Sequence, residues 1–350
     1  MKLLIVTQKI DKNDSILGFF HRWVIEFAKH FERVSVICLE KGEYDLPENV
    51  KVFSLGKEEG KSKLKYILRF YKYIWSLRDE YDAVFVHMNP EYLILAGEIW
   101  KLLGKKIGLW YTHREKNLKL RLAAVYPDVI FTASKESFTL ANKKVRIVGH
   151  GIDVAAYDCP EYVSRQGIRT LLQVGRITPI KHCDNAIEAL AILGNNYKLK
   201  FIGGPGTISD KSYFESLKKL AVESSVADRV EFAGSVPNAD MAKIYCDADA
   251  TLNLTPTGGV DKAVLESMAA GRITFSSNQT FADYFGDHKD QLLLRDNQPE
   301  TIAKAVREIF ESDKWRTIPE ALKESARERA SVESLIRKIA SAYDNIDTDE

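Results

Sequence analysis

The sequence predicts an α/β protein built from two doubly wound parallel sheets, each flanked by helices. Three observations predict it. Short apolar runs, ended by polar or glycine-containing loops, alternate with stretches of helical period in both halves of the chain, the pattern of βα units. At 350 residues the chain is long enough for two such units. The alternation stops over residues 154–168, which carry no clear period, and then starts afresh. The expected organisation is therefore an N-terminal unit over residues 1–152 and a second over 153–330. A last helix over 331–350 is placed to pack back on the first unit.

Composition narrows the class. Hydrophobic residues at 45% and charged residues at 28% are ordinary for a globular protein, and no apolar run is long enough for a membrane span. Lys+Arg 50 against Asp+Glu 49 leaves a net charge of +1, which is no footprint for nucleic acid. Residues 3–6 form an apolar run too short for a signal peptide. Cys38, Cys159, Cys183 and Cys246 lie far apart with no C-x-x-C. They read as reduced thiols of a cytoplasmic protein, not as a disulfide frame or a metal site.

In the first half, residues 3–6 read as a buried strand and 7–17 as a polar loop ending at Gly18. A helix over 19–31 follows, with Phe20, Trp23, Val24, Phe27 and Phe31 at helical spacing, and then a strand at 34–39. Gly18 stands where backbone could approach a phosphate, or serves as a plain turn. A short strand at 50–53 precedes residues 61–78, which read as a basic amphipathic helix. Its expected apolar face is Leu64, Ile67, Leu68, Tyr71 and Trp75; Lys61, Lys65, Arg69 and Lys72 line another, with no acidic residue among them. Such a helix suits either an anionic membrane surface or an ordinary solvated face. Strands at 82–87, 106–112 and 128–132 end in His87 with Asn89, in His113 with Arg114, and in Ser134 with Lys135. In open parallel sheets ligands bind beyond the carboxyl ends of the strands. His87, Asn89 and Arg114 are thus acceptor-side candidates, with a structural place at its strand end the favoured reading of His87, and His113 is the strongest histidine, able to hydrogen-bond a sugar hydroxyl or a phosphate. A strand at 145–148 closes the half before the hinge-like run Gly149-His150-Gly151-Ile152-Asp153.

In the second half, a strand at 170–174 runs into Gly175-Arg176-Ile177-Thr178-Pro179-Ile180-Lys181 and a helix over 184–193. Arg176 and Lys181 place two cations on one loop: a bidentate group and a compact point charge, suited to a diphosphate. Strands at 198–202 and 229–232, helices at 212–223 and 240–247, and a strand at 250–254 follow. The run from Thr255 then reads T-P-T-G-G-V-D-K-A-V-L-E-S-M-A-A-G. Gly258 and Gly259 permit a turn of positive φ or a close approach to ligand. Asp261 is the expected N-cap of a helix whose first turn offers free amides to an anion. Glu266 stands one turn inside, placed for ribose hydroxyls. Helices over 301–310, on to 330, and over 332–343 complete the chain; Leu335, Ile339 and Ala342 give the last one an apolar face.

Together these residues resemble the GT-B glycosyltransferases of family 4, over nearly the whole chain. Gly175-Arg176 with Lys181 resembles the G-R-x-x-x-x-K loop that grips the donor pyrophosphate. Phe232-Ala233-Gly234-Ser235-Val236 resembles the F-x-G-x-V segment along the base. Glu266 resembles the second Glu of an E-x7-E motif, which binds ribose; the first Glu is replaced by Gly258. Gly18 and His113 resemble the family's glycine-rich loop and the histidine near the transferred sugar, and His150-Gly151-Ile152-Asp153 its hinge segment. The resemblance implies two Rossmann-like domains facing across a cleft, and retaining transfer from a UDP- or GDP-linked sugar to a glycan or lipid-linked acceptor, in polysaccharide or glycolipid synthesis. His113, Arg176 and Lys181 are then the catalytic candidates. Gly18, Gly175, Arg176, Lys181, Gly234, Val236, Gly258, Gly259, Val260, Asp261, Lys262 and Glu266 are the donor-binding ones.

No Asp-x-Asp signature stands at a strand end, so transfer without a metal or other cofactor is expected, at the cytoplasmic face of a membrane if residues 61–78 dock there. A nucleotide-sugar epimerase of the same fold and a non-catalytic nucleotide-sugar-binding relative stay open beside it. A dehydrogenase is disfavoured, because no G-x-G-x-x-G follows Val6.

Overall fold

The computed structural model describes residues 1–14, 16–60, 62–113, 117–162 and 167–346. The chain divides into two compact units: Met1–Gly151 with Val332–Glu350, and Ile152–Ser331.

The first unit is a seven-stranded parallel sheet. Its strands are β1 Lys2–Ile10, β2 Arg33–Lys41, β3 Val50–Ser54, β4 Ala83–His87, β5 Lys106–Trp110, β6 Val129–Thr132 and β7 Val145–Ile147, in the spatial order β3-β2-β1-β4-β5-β6-β7. The order reverses between β1 and β4, the switch point of a doubly wound sheet. Every residue of β4 and β6 is buried, as strands covered on both faces must be. β1 outruns its apolar stretch by four residues: Thr7 is fully buried, and Lys9 pairs with Asp11, Asp14 and Glu40. Polar residues expected in a loop are held in the sheet by pairing with an equally long β2.

Helix Gly18–His30 buries Phe20, Trp23, Val24 and Phe27 as their spacing predicts. Helices Pro90–Leu102 and Leu118–Ala123 complete the crossovers and lack a sharp apolar period in the sequence. Helix Lys63–Ser76 turns a different face to the core than expected. Phe70 and Ile74 are its buried residues, while Leu64, Leu68 and Trp75 are 69%, 62% and 59% exposed. Its basic face is also less bare than expected, because Glu59, from the preceding 3₁₀ turn, pairs with both Lys65 and Arg69 at 2.8 Å. Lys61 lies outside the described residues.

The second unit is a five-stranded parallel sheet in the order β10-β9-β8-β11-β12. The strands are β8 Arg169–Val174, β9 Tyr197–Ile202, β10 Val230–Phe232, β11 Ala250–Asn253 and β12 Ile273–Ser276. β12 is a short buried strand that follows helix Lys262–Ala269 with only a three-residue turn. The order again reverses once, between β8 and β11.

One expectation is overturned here. Cys159 and Cys246 are joined in a disulfide, with 5.4 Å between their Cα atoms. A sequence separation of 87 hid the pairing; the 3₁₀ turn Val154–Tyr157 and helix Met241–Asp247 pack together and bring the two sulfurs into contact. Cys38 and Cys183 are free, buried thiols.

Candidate functional site

In the second unit the candidate residues converge at the switch point. The loop after β8 carries Gly175, Arg176 and Lys181, and the loop after β11 runs from Thr255 to Asp261. Because β8 and β11 are neighbours, the two loops meet. Lys181 Nζ donates to Asp261 Oδ2 at 2.5 Å, and Asn253 Nδ2 donates to the same oxygen at 2.9 Å. The other oxygen, Oδ1, accepts from Ala263 N at 3.2 Å, so Asp261 caps helix Lys262–Ala269 while fixing the lysine. Gln173 Nε2 donates to the Lys181 carbonyl at 2.6 Å and sets that end of the loop. Gly175 has φ 134°, and a Cβ there would stand 3.2 Å from Lys181 Cε. The glycine is what lets the lysine stem cross the strand end.

The loop containing Gly234 is one strand further away than expected, because β9 lies between β10 and β8. The chain closes the gap with backbone bonds: Gly203 N donates to Gly234 O at 2.8 Å, Gly175 N to Ile202 O at 2.9 Å and Ile177 N to Gly204 O at 3.1 Å. Gly203 and Gly204 therefore belong to the same platform as Gly175 and Gly234. Arg176 is exposed above it. Val236, behind Gly234, packs against the core of the unit.

Neither Gly258 nor Gly259 takes a positive φ, so the first reason offered for them falls. The loop is instead staked down by residues the sequence did not single out. Asn278 is 1% exposed; its Oδ1 accepts from Gly258 N at 3.2 Å and its Nδ2 donates to Gly259 O at 3.0 Å. Thr280 Oγ1 donates to Gly258 O at 2.7 Å. Both stand in an ordinary-looking S-S-N-Q-T run after β12, and no local signal marks them.

One turn into the helix, Glu266 is enclosed by two tyrosines. Tyr245 Oη donates to Glu266 Oε2 at 2.9 Å, and Tyr157, whose ring meets that of Tyr245 at 5.7 Å, stands close enough to interact with the same carboxyl. Burial pushes the Glu266 carboxyl up to about 7, against the pull of Tyr245, Lys262 and Tyr157. Burial likewise brings Lys262 down to about 8, opposed by Glu266 and Asp261. Val260 is partly buried beside them.

The first-unit candidates scatter. His87 is 2% exposed, stacked on Phe20 at 4.1 Å, with Nδ1 3.2 Å from Thr7 Oγ1; it is a core residue, and its place as an acceptor-side group is withdrawn. The alternating pattern gave no warning that helix Gly18–His30 covers the end of β4. Asn89 donates to the His87 carbonyl at 2.9 Å. His113 is exposed beyond β5, beside the Tyr111 ring. Arg114 lies outside the described residues. Gly18 opens its helix, and the amides of Ile16 and Leu17 just before it are taken by Asp14 at 2.9 and 2.7 Å. Those bonds and Lys9 hold the Asp14 carboxyl down at about 2.

Known proteins share both the sequence of this region and the architecture around it. Residues 160–329 match the family model of glycosyl transferases, group 1. The D-inositol 3-phosphate glycosyltransferase of Acidothermus cellulolyticus is 29% identical over 142 residues, 37% of this chain and 32% of that protein. The alpha-monoglucosyldiacylglycerol synthase of Streptococcus pneumoniae is 23% identical over 167 residues, 41% of this chain and 37% of its own. This chain thus matches less than half the length of either relative. Among solved structures, Anabaena HepE in complex with UDP superposes with a TM-score of 0.78 at 16% identity, covering 99% of this chain and 100% of that one. The two parallel sheets with their helices are those of the GT-B fold.

Proposed function

We propose that the chain is a group 1 glycosyltransferase that takes its sugar from a nucleoside diphosphate and binds that donor at the switch point of the second unit. The observation that carries the reading is the Lys181–Asp261 contact. It joins the cationic loop after β8 to the capped helix after β11, at the place where doubly wound sheets bind ligands. The family match over 160–329 covers this whole region, and the fold is shared with a UDP complex. In this reading Arg176, Lys181 and the positive end of helix Lys262–Ala269 face the diphosphate, and Glu266 accepts from the ribose hydroxyls. Transfer is retaining: the anomeric carbon gains positive charge as the diphosphate leaves, and the cations stabilise the leaving charge without a metal. Asn278 and Thr280 fix the Gly258-Gly259 backbone, so the loop is held without a glutamate at position 258.

Calorimetric titration with UDP and GDP across pH tests it. Ionised, the Glu266 carboxylate is the stronger acceptor for ribose hydroxyls, so affinity is expected to rise as pH climbs through about 7. It is expected to fall again above about 8, as Lys262 loses its charge beside the phosphates. Glu266→Gln should flatten the lower limb and Lys262→Met the upper. If neither nucleotide binds at millimolar concentration at any pH, the donor site is not there.

A lipid-linked acceptor at a membrane surface is part of the proposal. Its support is the outward apolar face of Leu64, Leu68 and Trp75, flanked by exposed Lys63 and Lys72 on helix Lys63–Ser76. None of the helices among the described residues is long and apolar enough to cross a membrane, so contact is peripheral in this reading. The protein is expected to float with vesicles containing phosphatidylglycerol, and Leu68→Asp with Trp75→Ser to stay at the bottom of the gradient. Equal flotation of the variant would remove the helix from the account.

A further inference from the structure

The disulfide lies next to the proposed ribose ligand, and nothing in the assignment of that ligand uses it. Cys159 is two residues from Tyr157, and Cys246 is the residue after Tyr245. Tyr245 holds Glu266 by its hydroxyl, and Tyr157 is the second tyrosine beside that carboxyl. Their rings meet edge to face at 5.7 Å, and both are buried, Tyr245 fully and Tyr157 at 6% exposure. The two segments reach Glu266 from different directions. Tyr245 comes from helix Met241–Asp247, which is anchored by Arg272: its side chain donates to the carbonyls of Tyr245 and Cys246 at 3.1 and 3.0 Å. Tyr157 comes from the four-residue 3₁₀ turn Val154–Tyr157, with no further regular structure before β8 among the described residues. The covalent bond ties the chain just after that turn to the anchored helix, beside the Lys323 contacts to Asp158 and to the Cys159 carbonyl.

We infer that Tyr157 and Tyr245 are positioning residues for Glu266, and that the Cys159–Cys246 bond makes their hold on it sensitive to a dithiol reductant. The inference rests on the donor-site reading above. Cys246 is the more exposed residue of the pair, half-buried where Cys159 is 4% exposed. One thiolate of the reductant attacks the Cys246 sulfur, breaks the bond to Cys159 and forms a mixed disulfide. Cys159 leaves as a thiolate and takes up a proton. The second thiol of the reductant then displaces Cys246, so the dithiol ends as a cyclic disulfide and both cysteines as thiols. The remaining cysteines do not compete, since burial pushes the thiols of Cys38 and Cys183 up to about 12. Once cut, the turn carrying Tyr157 is less firmly held to the helix carrying Tyr245, and the tyrosine pair beside Glu266 loosens.

The test uses the whole protein, untreated and after dithiol reduction. Alkylation under denaturing conditions, read by intact mass, is expected to add two groups before reduction and four after. The dissociation constant for UDP, with GDP in parallel, is expected to rise about tenfold on reduction, the scale of one hydrogen bond to a charged group. The Cys159→Ser/Cys246→Ser double variant should match the reduced protein. Tyr157→Phe should bind weakly in both states and lose the response. Four reactive thiols in the untreated protein would overturn the inference. So would a reduced form that melts earlier yet binds nucleotide with unchanged affinity, since that is a bond with a structural role alone. Binding in neither state, by contrast, would overturn the donor-site reading itself.

Discussion

Lys181→Ala is expected to lower turnover by about 10²–10³-fold with the fold intact, the usual cost of removing one preorganised group that stabilises developing charge. The lysine is fixed before any donor arrives: its carbonyl is bonded to Gln173, its stem crosses Gly175, and its ammonium rests on Asp261. Preorganisation of this kind removes the cost of arranging the charge during reaction. The substitution should therefore act on kcat more than on nucleotide affinity. Lys181→Arg is not a rescue, because a planar guanidinium replaces a compact point charge at the end of a stem packed against Gly175. Gly175→Ala should approach the lysine variant by another route, since its Cβ would press on Lys181 Cε at a φ that side chains avoid. Arg176→Ala, on the same loop, is expected to lose turnover on the same scale. The measurement is initial rate against donor concentration for each variant, with the melting temperature as the control for folding. Near-wild-type turnover for both Lys181→Ala and Arg176→Ala would end the glycosyltransferase reading.

Distance along the chain separates what could be read from the sequence from what could not. The loop after β8 was legible because strand, glycine, two cations and helix follow one another within a dozen residues. The cap at Asp261 was legible for the same reason. Distant partners were not. Asn278 reaches Gly258 across 20 residues, Gln173 has no feature of its own, and Tyr157 meets Glu266 from another segment altogether. The cysteine reading failed on the same ground, with a sequence separation of 87 between the two cysteines. On helix Lys63–Ser76 the period was correct and the face was not: with aromatic and aliphatic residues on two sides, periodicity cannot say which side is covered. Most strands were legible, since a parallel strand buried on both faces is a local apolar run; β12 was not, because its I-T-F-S sequence is half polar and only four residues long.

The C-terminal helix shows where a local apolar face does define a tertiary contact, and it carries the second large expected effect. Val332–Asp344 packs in the first unit with Leu335, Ile336 and Ile339 buried. Its last turn inserts Tyr343, fully buried, against Phe31 and Phe131, with Oη donating to the Val84 carbonyl at 2.8 Å. Gly108 on β5 makes room for it, for a Cβ there would stand 2.1 Å from Tyr343 Oη. Lys106 Nζ donates to the Tyr343 carbonyl at 3.0 Å and closes the contact. Tyr343→Ala empties a site enclosed by β4, β5 and β6, and is expected to destabilise the first unit by about 3–5 kcal/mol. Tyr343→Phe keeps the ring and is expected to cost only about 1 kcal/mol, the net worth of one hydrogen bond. Gly108→Ala should fall nearer the alanine variant, because the tyrosine must leave or the strand must shift. Urea unfolding followed by tryptophan fluorescence reads this unit directly: of the five tryptophans, Trp23, Trp75, Trp100 and Trp110 lie in it and Trp315 in the other. Equal midpoints for the Ala and Phe variants would mean that the ring contributes nothing there. The first sheet would then be stable without the final helix, and the return of the chain from the second unit would have to be explained by something other than core packing.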